Sequence, residues 1–217
     1  MTIFERLNEL RNHGGSARTT GLTDAAIRKF SEQDARLAEA VSDAHEAFRQ
    51  LLEEEPDLLA MDEEAQAEYI QEGYVNFYAH DAVNPYVSLA AAGPWIVTLK
   101  GAVIYDAGGY GMIGAGHAPV EVLDAMNRRH VMANIMTPNI SHKKLVDKLK
   151  KELSQNRDHC PFDRFLCLNS GSESVTAASR ISDINAKNMT DPGGRHEGKP
   201  IRILSLEGGF HGRTDRP

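Results

Sequence analysis

Two short stretches carry residue types that can do chemistry. The first is LNSGSES, with Ser170, Gly171 and Ser172 at its centre. It follows an apolar run, Phe165 to Leu168, and leads into a helical pattern. The first N–H groups of a helix have no internal partners, and the helix dipole favours negative charge there. Gly171 lets the backbone approach a ligand closely, while Ser172 and Ser174 add hydroxyl donors. Such a turn suits an anion, and phosphate is a common occupant. A plain capped turn, with Glu173 as an ordinary first-turn acid, fits the same residues. The pattern is neither GxGxxG nor GxxxxGK[ST], so no dinucleotide or nucleoside-triphosphate loop is indicated.

The second stretch is EGGFHGRT, residues 207–214, after the apolar run IRILSL. In parallel α/β sheets, ligands sit off the carboxyl ends of strands, so both stretches are expected at one crevice. Phe210 then covers the flat face of a ring whose phosphate rests at Gly171 and Ser172. Arg213 offers a fork for a carboxylate. A flat phosphorylated cofactor beside a carboxylate-bearing substrate suggests pyridoxal 5'-phosphate.

These residues need elements to position them. Residues 22–55 predict a long amphipathic helix, its apolar stripe interrupted only at Asp34, with Thr23 as N-cap. A second helix is expected from Met61 or Asp62. The runs on either side of Lys100-Gly101 predict a hairpin or paired strands. HAPVEVLDAMNRRHVMA and SHKKLVDKLKKELSQN read as helices, the latter capped by Ser141. The succession of strand, Gly-rich turn, helix and strand toward the end predicts an α/β domain with a largely parallel sheet. Residues 1–80 are therefore expected as a helical N-terminal extension and 81–217 as part of a cofactor-binding domain.

The net charge of -7 leaves no basic surplus for nucleic acid, and no stretch approaches a membrane span. Cys160 and Cys167 lack partners at metal-site spacings. They read as reduced thiols of a cytoplasmic protein.

GYGMIGAGHAPVEVLDAM, SGSESVTAA and EGGFHGRT, in that order, resemble the glycine-rich segment, phosphate turn and ring-stacking loop of class III aminotransferases. These are fold-type-I enzymes that use pyridoxal 5'-phosphate. The resemblance covers roughly residues 93–214. It implies that Ser170, Gly171 and Ser172 hold the cofactor phosphate, and that Phe210 stacks on the ring with His211 beside it. It further implies that Tyr110 and Arg213 serve the substrate pocket. His117 reads as a structural turn residue. Ala118 stands where the family often has an Asn-His or similar pair, and Thr176 and Asp183 replace an acid and a base on the following helix.

The resemblance also implies a homodimer that passes an amino group from an amino acid or ω-amino donor to a 2-oxo acid. The family chain is about twice as long, so this chain is expected to be its N-terminal half and inactive alone. The Schiff-base lysine is then expected beyond Pro217, and the lysines present, Lys100 among them, read as surface charges. A decarboxylase or aminomutase of the same fold remains an alternative, as does a fragment that acts only in binding.

Overall fold

A computed structural model describes the chain except for Phe77 and residues 80–82, 109–113, 132–135, 213 and 215–217. The chain forms two compact units, Met1–Arg129 and His130–Pro217.

The first unit is built around one helix. The expected 22–55 helix is two helices, α2 (Asp24–Ser31) and α3 (Ala35–Glu54). The break falls at the gap in the apolar stripe. There Asp34 leaves helical geometry and accepts from the Arg36 N–H at 3.1 Å as N-cap of α3. Thr23 caps α2 as expected, accepting from the Ala26 N–H. Before them lies a helix the spacing argument missed, α1 (Ile3–Arg11). Thr2 and Glu5 form a reciprocal capping box at its start. After α3 come a short α4 (Pro56–Ala60) and α5 (Glu63–Gln71). Helices α1, α2 and α4 all pack on α3.

The other face of α3 covers a three-stranded antiparallel sheet, β1 (Ser88–Ala92), β2 (Trp95–Thr98) and β3 (Val103–Tyr105), in sequence order. The expected hairpin around Lys100-Gly101 is the β2–β3 turn. Gly101 takes φ +70°, and Thr98 Oγ1 accepts from the Ala102 N–H. Buried Leu37, Ala40, Val41, Ala44 and Phe48 from α3 meet Ala92, Trp95, Val97 and Val103 in one core.

Lys100 is a correction. Expected on the surface, it is 4% exposed. Its Nζ donates to the carbonyls of Gly14 (2.6 Å) and Leu59 (3.1 Å). From the α1 side, Arg11 Nε donates to the Gly101 carbonyl at 3.0 Å. The turn is thereby fastened to the helices by two cations. The segment between them is held by the acidic start of α5. Asp62 accepts from Ser16, and Glu63 accepts from the Arg18 and Thr19 N–H groups.

The second unit contains α7 (Ile140–Leu153) and α8 (Gly171–Thr190), while α6 (Val120–Met126) belongs to the first. Asn139, not Ser141, caps α7, accepting from the Ser141 and His142 N–H groups. The parallel sheet expected here is not formed among the described residues, whose only sheet is antiparallel. Residues 165–168 and 201–206 run without ladder partners, and Leu204 is 95% exposed. An apolar run becomes a strand only when a neighbour takes up its backbone N–H and C=O groups. The α/β class stands in the coarser sense of helices combined with a small sheet.

Lys100→Met keeps the apolar stem and leaves two carbonyls without their donor. It should cost about 2 kcal/mol in urea unfolding. Burial lowers the pKa of the Lys100 amine, against the opposing pull of Asp62 and Glu63. The folded state then binds that proton less readily than the unfolded chain. Wild-type stability should rise with pH between the lowered folded value and the ordinary 10.5, and Lys100→Met should lack that rise.

Candidate functional site

The expected phosphate turn lies where the chain enters α8. Ser170 is the N-cap, extended at φ -145° and ψ 160°, and its hydroxyl accepts from the Glu173 N–H at 3.2 Å. Glu173 reaches back, its Oε2 accepting from the Asn169 (2.9 Å) and Ser170 (3.1 Å) N–H groups. This is a full capping box, so the Ser170 hydroxyl and the Glu173 carboxylate are both engaged in starting the helix. Ser174 Oγ donates to the Ser170 carbonyl at 3.0 Å. What the turn still presents to an anion is the Gly171 backbone, around which a Cβ would meet nothing within 4 Å.

The expected ring-stacking loop comes to this turn within the same unit. Gly212, at φ +86°, lies against Ser172. A Cβ there would fall 2.5 Å from Ser172 Oγ and 3.0 Å from its Cα. Only glycine permits both that backbone conformation and that approach. His211 is half-buried, with Nδ1 3.2 Å from Thr214 Oγ1. Phe210 is 88% exposed. Tyr110 and Arg213 lie outside the described residues.

The glycine-rich segment belongs to the first unit. His117 is clamped by a two-way backbone bridge to Gly93, at 2.8 and 2.9 Å, and its Nε2 lies 3.0 Å from Asp106 Oδ2. Both contacts fasten His117 within its own unit. Gly116, at φ +78°, allows the bridge because a Cβ there would come within 3.0 Å of Gly93 Cα. Ala118 takes φ +45°, a left-handed conformation unusual for a residue with a Cβ. Among the described residues, no group of three or more His, Cys, Asp or Glu side chains is placed to hold a metal ion. No helix among them is long and apolar enough to cross a membrane.

With this geometry in place, comparison with known families is decisive. The family model for class-III aminotransferases matches residues 77–216. The chain belongs to the class III aminotransferases. The match takes in the glycine-rich segment, the α8 turn and the 207–214 loop together. Neither the curated proteins nor the solved structures give a match.

Sequence reasoning found the turn and the loop but missed what joins them. Gly212 sits in the quoted FHGRT motif, and its spacing from Ser172 carries no signal of contact. The capping box was legible as Ser170 followed three residues later by Glu173.

Gly212→Ala forces a methyl into Ser172 and imposes an unfavourable backbone, at roughly 1–2 kcal/mol. Hydrogen exchange at the amides of residues 170–174 should quicken by about tenfold.

Proposed function

We propose that this class III aminotransferase chain supplies the phosphate-binding and ring-stacking part of a pyridoxal 5'-phosphate site. The observation that carries the reading is the apposition of Gly212 to Ser172. It brings the loop bearing Phe210 and His211 onto the turn that offers the Gly171 backbone. The Gly171 position is open and lies at the positive end of a 20-residue helix, which fits a phosphate group. In this reading Gly171 and Ser172 hold the phosphate. Ser170 and Glu173 hold the turn in shape. Phe210 covers one face of the ring, and His211 fixes the loop through Thr214. Arg213 and Tyr110 remain the proposed residues for the substrate carboxylate and pocket.

Pyridoxal 5'-phosphate, when bound, supplies an electron-withdrawing ring that carries an amino group from donor to acceptor. The donor is proposed to be an amino acid or ω-amino acid and the acceptor a 2-oxo acid, in a cytoplasmic homodimer. The covalent lysine is proposed to lie outside the lysines of this chain. Lys100 is committed to two core carbonyls, and Lys143, Lys148 and Lys187 form exposed ion pairs along their helices.

Incubation with pyridoxal 5'-phosphate, borohydride reduction and intact mass tests this directly. The expected result is no single stoichiometric adduct on the 217-residue chain. One clean adduct on Lys100 or any other of its lysines would overturn the assignment. In an active preparation, a new amino acid should appear only when a 2-oxo acid is added. Carbon dioxide release without one would replace transfer by decarboxylation.

A further inference from the structure

A cleft of about 550 Å³ opens in the first unit between the start of α3 and residues 105–108 and 114–117. That volume is within the range of small-molecule sites, roughly 300–1,000 Å³. Gly93, Gly116, Arg36, Tyr105, Asp106 and His117 are among the residues that line it. None of these side chains was expected to bind anything.

Arg36 is held in an unusual way for a residue lining an open cleft. Its Nε donates to Asp34 Oδ1 and its Nη2 to Asp34 Oδ2, both at 2.8 Å. Asp34 Oδ2 also accepts from Trp95 Nε1 at 3.0 Å. Asp34 is anchored by a buried indole and in turn fixes the plane of the guanidinium. This occupies one edge of the guanidinium fork. A guanidinium carries five N–H donors, so its end edge, Nη1 with the second hydrogen of Nη2, remains. Nη1 has no partner among the described residues. A preset guanidinium with a spare edge loses little freedom on binding a second planar acid.

We propose that this cleft of the first unit binds a small carboxylate through the end edge of Arg36. A singly charged carboxylate suits it better than a phosphate dianion, because Asp34 already offsets Arg36 and Asp106 also lines the cleft. Asp34 is a positioning residue, since it acts on the ligand only through Arg36. The proposal does not depend on the cofactor reading, and its test needs no cofactor.

The protein has one tryptophan, Trp95, and it reports on this site. Its indole is bonded to Asp34, and its ring meets Tyr105 edge-on at 5.2 Å. Sodium propionate, titrated at constant ionic strength, should change Trp95 emission saturably, while propionamide should not. Amide chemical shifts of Gly93 and Gly116 should move with the same midpoint. Arg36→Gln should weaken the propionate midpoint at least fivefold in the amide shifts, which report binding even where the indole signal changes. Arg36→Lys keeps the charge without the fork and should weaken it comparably, whereas Lys143→Gln, which leaves the Asp34–Arg36 pair intact, should titrate like wild type. Equal responses to propionate and propionamide, or an unaltered midpoint in both Arg36 variants, would overturn the proposal.

Discussion

The first unit depends on how closely α3 can approach the sheet beneath it. Its buried face alternates large and small residues, with Ala40 and Ala44 between Leu37, Val41 and Phe48. Across from it, β1 presents Ala90 and Ala92. Small residues on both sides let backbone approach backbone, and Trp95 and Phe48 belong to the same core. Burying side chains of this size contributes about 1.5–3 kcal/mol for each large aliphatic or aromatic group. Helices α1, α2 and α4 lean on that contact. The polar bonds follow from it. With α3 seated, Asp34 at its cap lies within reach of the Trp95 indole and presets Arg36. The β2–β3 turn lies where Lys100 and Arg11 bind carbonyls across the two layers.

Local signals in the sequence reported local structure well. The interruption at Asp34 marked a real break, and the Thr23 cap and the turn at Lys100-Gly101 are where residue type alone places them. The box of Thr2 and Glu5 was equally legible, yet α1 is short and its stripe too brief to stand out. Strand β1 escaped because Ser-Leu-Ala-Ala-Ala has poor strand propensity. It is a strand because α3 needs a small-residue partner. Lys100 could not be read as buried. Its burial is set by the carbonyls of Gly14 and Leu59, far from it in sequence.

The α8 turn shows the same division. Ser170 and Glu173 announce a helix start, and Gly171 announces an open backbone, all from neighbouring residues. The approach of Gly212 to Ser172 joins positions far apart in the chain, and nothing in either motif encodes it. The apolar runs at 165–168 and 201–206 likewise state a need for burial without naming a partner strand. Motif order identified the family before geometry did, because order along the chain is itself a non-local pattern. The match over 77–216 spans all three motifs.

The central claim is that the turn at the start of α8 receives a phosphate. Phosphorus NMR of pyridoxal 5'-phosphate titrated with the protein tests it most directly. The account predicts a saturable displacement of the phosphate resonance, diminished by Ser172→Ala and by Gly212→Ala. A resonance that stays at its free position at excess protein, or that moves unchanged in both variants, would contradict it.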